Sequence, residues 1–410
     1  MNKSVLRILL GFAAVALVAG CSAGTADKET LGEKNLREGY YVSAYIWPSC
    51  HDDPVARKYL WTEGIGEWEM IQKGDPRFPG HYQPKQPLWG YEMDDDPVVV
   101  EKWIQTALKY GVNTFCYDWY WYKRGDEYNG PFLQSALEEG FLKAPSNGKM
   151  RFYLMWANHK VIYNYWNYHK WGDNRDLLFD PCVGWDEFKQ ITDIWINRYF
   201  KLPNYFKIDG KPDHALYEVW NFVEGFGSEE EATKAIDWFR GEVKKAGFPD
   251  VYLLGMSGGL GLQLDEATKA RIENHKKILN TDGYSLYNMG GMSDQDYLHY
   301  AAESVKIREE FDAYFKEPLY PCVSVGWDTT PRYPAMTEED VIHHNREPRV
   351  FGSYLKLAKD YADAHADTQV KLITINAWNE WIEDSYLLPD KKFGYAYLEA
   401  VRDVIEGKYE

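Results

Sequence analysis

The chain has no apolar run long enough to span a membrane, no Cys-x-x-Cys pair, no glycine-rich phosphate loop and no surplus of basic charge. Each lack excludes something. With 63 acidic against 46 basic residues the formal net charge is −17, which argues against nucleic acid and anionic membrane surfaces as partners and says nothing against a neutral glycan. Cysteine is scarce, and Cys50, Cys116, Cys182 and Cys322 are too widely spaced for a zinc pattern. Three of the four sit in apolar runs, where free buried thiols are expected; a disulfide is permitted in an exported protein but not indicated. No Asp-x-Asp pair stands at a strand end and no phosphate loop precedes a helix, so a nucleotide-sugar donor has no obvious seat. No internal repeat is visible. The sequence calls for no cofactor and no metal.

What is present begins with a leader. Lys3 and Arg7 form a short basic region, Ile8 to Val18 an apolar core, and Leu17-Val18-Ala19-Gly20-Cys21 closes it. A core this short, ended by small residues, reads as a signal peptide and not as a spanning helix. The ending resembles the bacterial lipobox, which implies cleavage before Cys21 and a lipid on its thiol; the alternative is a plain secretory signal. The expected organisation is a signal peptide over 1–20, a flexible tether over 21–37 and one catalytic domain over 38–410, lipid-anchored to a bacterial membrane, the outer membrane being expected, on its periplasmic or cell-surface face.

Aromatic residues are abundant: 16% of the chain, with 17 Trp and 32 Tyr. Such flat amphipathic rings fill cores, and they also stack on the faces of sugars.

Eight short apolar, β-branched or aromatic runs recur, at 41–47, 114–119, 152–156, 214–219, 251–255, 283–286, 322–325 and 372–377. Helical spacing fills 98–110, 185–200, 229–246, 265–279, 294–316 and 337–366 between them. Alternation of this kind predicts βαβ units and a parallel sheet, and eight strands predict an α/β fold of the (β/α)8 TIM-barrel class with extended βα loops. An open doubly wound sheet is the runner-up; it calls for a Gly-rich turn after its first strand, where Tyr45-Ile46-Trp47-Pro48 stands.

A barrel places its chemistry at the C-terminal ends of its strands. Trp47 follows the first run; Asp118, Trp119, Tyr120 and Trp121 the second; Trp156, Asn158 and His159 the third; Glu218 and Trp220 the fourth. Ser257-Gly258-Gly259 follows the fifth, Tyr287 and Asn288 the sixth, Trp327, Asp328 and Arg332 the seventh, and Trp378, Asn379, Glu380, Trp381 and Glu383 the eighth. The expected substrate-binding set is Trp47, Asp118, Tyr120, Trp156, Asn158, His159, Glu218, Tyr287, Trp327, Asp328, Arg332, Trp378, Asn379 and Trp381.

Glu380 and Glu383 are the expected catalytic pair. Three residues apart, they share a side if the chain turns helically after the strand, with Cβ atoms about 5–6 Å apart. Two carboxylates that close repel, so one is expected to hold its proton while the other stays charged. Cleavage of an acetal uses that division. The plain alternative is a solvated pair opening a surface helix.

Asn376-Ala377-Trp378-Asn379-Glu380-Trp381-Ile382-Glu383, with Tyr386-Leu387-Leu388-Pro389-Asp390 and Gly394-Tyr395 behind it, resembles the closing motif of the WbsX-like proteins. These are relatives of glycoside hydrolase family 99, the endo-acting α-mannosidases and α-mannanases. Gly64-Ile65-Gly66-Glu67-Trp68 and Gly80-His81-Tyr82-Gln83-Pro84 resemble the family's early loop. Tyr110-Gly111-Val112-Asn113-Thr114-Phe115-Cys116-Tyr117, Trp156-Ala157-Asn158, Ile208-Asp209-Gly210-Lys211-Pro212 and Gly326-Trp327-Asp328-Thr329-Thr330-Pro331-Arg332 resemble later strands. The resemblance covers nearly all the chain after residue 37. It implies a retaining mechanism in which Glu380 deprotonates the sugar's 2-hydroxyl, that oxygen attacks the anomeric carbon to give a 1,2-anhydro sugar, and Glu383 protonates the departing oxygen and later activates water. α-Mannosides and α-rhamnosides have the required trans arrangement. The chain departs from family 99 proper, which has His and Gly around the second Glu where Ile382 and Asp384 stand here, an acid near Leu388, and Glu or Asn where His159 stands. These departures leave the sugar and endo or exo action open, and make Asp384 a second candidate for the acid role.

Other residues admit two readings each. Asp118 is a hydroxyl anchor or else a helix cap or barrel salt-bridge partner, and His159 a sugar contact or a structural histidine. Asp328 and Arg332 are expected to pair with each other. Glu218 is an alternative acid. Asp94-Asp95-Asp96-Pro97 is expected to start a helix, and His343-His344 to lie within one. Three functions follow: a hydrolase acting on an oligo- or polysaccharide, a transferase building surface polysaccharide, and a glycan-binding lipoprotein without catalysis.

Overall fold

The computed structural model describes residues 29–256, 264–289, 296–334 and 341–409. The expected signal peptide, Cys21 and the residues Ser257-Gly258-Gly259 lie outside the described residues.

All eight expected strands form. They are β1 (Tyr40–Ile46), β2 (Thr114–Arg124), β3 (Arg151–Trp156), β4 (Lys211–Leu216), β5 (Tyr252–Met256), β6 (Gly283–Ser285), β7 in two pieces (Leu319–Tyr320 and Cys322–Ser324) and β8 (Lys371–Asn376). Every neighbouring pair is parallel. β1 pairs with β2 on one side and β8 on the other, which an open doubly wound sheet would not allow. The seventh strand changes partner midway: Tyr320 aligns with Ser285 of β6, and Cys322 with Thr374 of β8. Pro321 stands at the change. It has no N–H to donate, so it costs least where the ladder passes from one neighbour to the next, and its carbonyl accepts from Thr374 N at 2.9 Å. The result is a nearly closed parallel ring wrapped in helices, a TIM-barrel-like fold.

The helices used below are α1 (Leu31–Arg37), α2 (Pro97–Tyr110), α3 (Trp185–Ile194), α4 (Val219–Phe226), α5 (Glu229–Lys245), α6 (Glu266–Leu279), α7 (Tyr297–Tyr314), α8 (Pro348–Ala364) and α9 (Ala396–Ile405). α2 shows why sequence and element agree. Asp96 accepts from Val98 N at the N-cap, Pro97 fills the first position, and Gly111 ends the helix at φ 96°.

Three boundaries differ from expectation. The tether assigned to 21–37 is partly helix: a Thr30–Glu33 capping box starts α1. Gly32 then brings α1 against α2, where a Cβ would fall 2.8 Å from Leu108 Cδ2 and 2.9 Å from its Cα. The long helix expected from 337 begins only at Pro348, so His343 and His344 lie in an irregular segment and not in a helix; His343 N donates to Trp327 O. An unexpected strand, Tyr128–Phe132, folds back antiparallel on the extension of β2.

Candidate active site

A cavity of about 260 Å³ opens at the C-terminal ends of the strands. It is lined by Trp47, Glu67, Asp118, Tyr120, Met155, Ala157, His159, Tyr165, Trp166, Tyr217, Tyr287, Arg332, Glu380 and Glu383. Strand alternation sorts these side chains. Asp118 and Tyr120 of β2 face the cavity while Trp119 between them packs against Trp195; Met155 and Ala157 face it while Trp156 turns outward.

The carboxylate pair is built by the chain's path after β8. Asn379–Glu380 pairs antiparallel with Ser385–Tyr386, and Trp381–Glu383 between them form a single 3₁₀ turn. Three residues per turn set Glu380 and Glu383 on one side. Both are buried and both meet one guanidinium: Arg332 Nη2 lies 2.9 Å from Glu383 Oε1 and 3.9 Å from Glu380 Oε1. Glu380 Oε2, Asp118 Oδ1 and the Nε and Nη1 of Arg332 are buried with no hydrogen-bond partner among the described residues. Such groups are costly unless something completes them, and sugar hydroxyls have the donors and acceptors to do so.

Charge follows from this crowding. Burial pushes the Glu380 carboxyl well above the usual range, and the charges of Glu383 and Glu67 push the same way against the pull of Arg332. Glu383 is raised too, by burial, but Arg332 opposes it through both its charge and a direct hydrogen bond. Of the two, Glu380 is therefore the one that holds a proton more strongly. Asp118 is raised by burial, and His159, lowered to about 4 by burial, is neutral across the ordinary range.

Behind the pair lies an ionic layer that fixes it. The expected Asp328–Arg332 pair does not form. Asp328 turns back on its own loop, accepting from Thr330 N at 3.0 Å and Thr330 Oγ1 at 2.6 Å, and its other oxygen meets Gln83 Nε2 at 2.8 Å and His81 Nε2 at 2.9 Å. The 3₁₀ turn Thr330–Arg332 carries Arg332 over to Glu383 instead, with its guanidinium 4.5 Å from the ring of Tyr165. Asp328 N donates to Glu383 O, tying the two loops. Asp384 is not in the cavity. At φ 60° it points to Lys85 Nζ at 2.8 Å and to Arg346, away from Glu380 and Glu383.

Of the expected set, Trp47, Asp118, Tyr120, His159, Tyr287 and Arg332 line the cavity with Glu380 and Glu383. The others do not. Trp156 packs on Phe188, Trp195 and Phe222; Trp378 on Trp103 and Phe115; Trp381 stacks on Tyr386 at 3.8 Å. Trp327 is half-buried and contributes nothing to the lining. Glu218 caps α4, accepting from Trp220 N at 3.1 Å, and does not line the cavity. Asn158 and Asn379 are splints. The Asn379 amide accepts from Trp47 N at 2.9 Å and donates to Trp47 O at 2.7 Å, and Asn158 treats Glu218 N and O in the same way. Asp96 starts α2 as expected, while Asp94 accepts from His51 Nδ1 at 2.7 Å and from Cys50 N. Cys50, Cys116, Cys182 and Cys322 are free and buried.

Glu67 was not anticipated as a site residue. It lies on the long loop after β1, buried, its Oε2 accepting from Trp47 Nε1 at 2.6 Å and Ser49 Oγ at 3.0 Å. Gly66 brings it there: at φ 60° its Cβ position lies 2.1 Å from Ser49 O, so only glycine lets the loop press against β1's end. The glycines of Gly64-Ile65-Gly66-Glu67 were the available signal. Tyr165 and Trp166, from the loop after β3, carry none.

A family model described as Glycosyltransferase WbsX matches residues 42–401. The chain belongs to the WbsX family. Curated relatives of this WbsX chain include an uncharacterized protein WxcX in each of two strains of Xanthomonas campestris pv. campestris (B100 and ATCC 33913), 27% identical over 374 residues. Those residues are 88% of this chain and 49% of the relative, so the chain spans about half the length of the curated relatives it matches. Among solved structures, the GH99 endo-alpha-mannosidase from Bacteroides thetaiotaomicron superposes with a TM-score of 0.54 at 14% identity, covering 90% of this chain and 97% of that one. A glycoside hydrolase-like protein gives 0.55 at 13%, covering 89% and 94%. At such identity the likeness concerns the fold, which this WbsX protein shares with glycoside hydrolases.

Proposed function

We propose that this protein is a retaining glycoside hydrolase acting on α-mannoside-like or α-rhamnoside-like linkages of a complex glycan. The observation that carries the reading is the convergence of Glu380 and Glu383 on one guanidinium inside an aromatic-lined cavity. The glycoside hydrolase neighbours support it. At about 260 Å³ the open-mouthed cavity lies near the lower end of the small-ligand range of roughly 300–1,000 Å³ and has room for one sugar ring.

Glu380 acts as base toward the 2-hydroxyl, and Glu383 as acid and then base toward the leaving oxygen and water. A high proton affinity suits a base once it is ionised. The proton favours Glu380, and the reaction needs it on Glu383. A sugar oxygen entering between Arg332 and Glu383 weakens the ion pair that keeps Glu383 charged, and so favours that transfer within the coupled pair. We also propose that a lipid on Cys21 anchors the chain to a bacterial membrane, with the glycan as its soluble partner.

The test is a panel of α-mannosides, α-rhamnosides and bacterial or plant polysaccharides, with product stereochemistry followed by NMR. Retention is expected. Glu380→Gln and Glu383→Gln are each expected to lose about 10²-fold or more while melting near wild type. Inversion, or wild-type rates in either variant, would overturn the assignment. The family's description favours a transferase instead. Binding of a nucleoside diphosphate sugar in a calorimeter would support that reading, but Arg332 is the one cationic side chain in the described lining and it is committed to carboxylates.

A further inference from the structure

Glu67 has no part in the two-carboxylate scheme, yet it lies in the same cavity wall as Glu380, Glu383 and Arg332, buried, with one carboxylate oxygen held by Trp47 and Ser49. Its hydrogen bonds come from the end of β1, whereas Glu380 and Glu383 hang from the end of β8. Those two ends are joined by Asn379 on Trp47, so the third carboxylate is fixed relative to the pair.

We propose that Glu67 is a positioning residue that decides, by its own charge, when Glu380 gives up its proton. The inference rests on the site described above and deepens it. Three buried carboxylates share the field of one guanidinium. One cation cannot balance three anions at low dielectric, so protons must distribute over the group. The charged and titratable groups facing Glu380 are Glu383, Glu67, Arg332, Asp118, Tyr120, Tyr287 and the Cys50 thiol; those facing Glu67 are Glu380, Arg332, Glu383 and the Cys50 thiol. Glu67 is pushed up to about 7 by burial, although Arg332 and the bonds from Trp47 and Ser49 oppose the rise. When Glu67 is ionised, its repulsion keeps the proton on Glu380. When Glu67 carries a proton, Glu380 is freed to ionise and act as base. The Trp47 indole reports on this state, because it donates to the carboxylate.

A titration that needs no substrate tests the inference. In ¹³C-glutamate-labelled protein the side-chain carboxyl signals are followed by NMR against pH, and assigned by loss in the Gln variants. In Glu67→Gln the Glu380 step is expected to move down by about one pH unit, since a neighbouring negative charge is gone and a hydrogen-bond acceptor remains. Ser49→Ala leaves that charge in place, and its Glu380 step is expected not to move down. An unmoved Glu380 step in folded Glu67→Gln overturns the proposal, as does an equal fall in Ser49→Ala. If Glu67→Gln does not fold, Glu67→Met serves, because it too removes the charge at about the same side-chain length, and the Glu380 step must then fall; an unmoved Glu380 step overturns the proposal equally. A wild-type protein that cleaves no glycoside strikes the functional reading, and an unmoved titration strikes this one.

Discussion

At the residue scale, the site spends stability. Glu67 has its carboxyl raised from 4.5 to about 7 by burial, so the folded chain keeps a proton that the unfolded chain releases. A group raised in this way contributes most below its unfolded value, and that contribution is lost as pH rises from about 4.5 through about 7, on the order of 3 kcal/mol in all. Glu67→Gln does not titrate, and its amide oxygen still accepts from Trp47 and Ser49. Its melting temperature is therefore expected to fall less than that of the wild type between pH 5 and pH 8, in parallel thermal scans. Identical slopes would show that Glu67 is charged in the folded state throughout.

At the element scale, the strands were legible because each is a short apolar run closed by polar residues, and closure followed from their number. The site was legible only in part. Reading the residues after each strand as chemical found Asp118, Tyr120 and the Glu pair, but took Trp156 and Trp378 with them. A strand sends successive side chains to opposite faces, so half of any strand-end cluster faces the helices: Trp156 meets Phe188 and Trp195 there, and Trp378 meets Phe115. Glu67, Tyr165 and Trp166 were missed because they come from the long connections after β1 and β3, where the single helical turn Tyr163–Trp166 is too short to show a period. Asn379, expected among the substrate-binding residues, instead splints β1 to β8. Asn379→Ala removes two hydrogen bonds and leaves both Trp47 backbone groups buried, a loss of about 2 kcal/mol in urea unfolding. Activity is expected to fall further than stability requires, because the bond carries the Trp47 ring.

At the scale of the whole molecule, α1 enters at the N-terminal ends of the strands, against the C-terminal end of α2, and the cavity opens at the other end of the barrel. Cutting the chain at residue 38, where the domain was first expected to start, removes the capping box and the close contact of Gly32 with Leu108. The melting temperature is expected to drop by about 5 °C in calorimetry, with activity retained below it. A Cys21→Ala variant is expected to leave the membrane fraction for the soluble fraction, as read by immunoblot.

Trp47 and Glu67 follow the first strand, Glu380 and Glu383 follow the last, and the pairing of Tyr40–Ala44 with Lys371–Ile375 is what brings them together. The chemistry is thus deferred until the ring shuts. A nascent or proteolysed fragment lacking either of these strands has no partial version of it, so the site is not assembled until the far end of the polypeptide has docked.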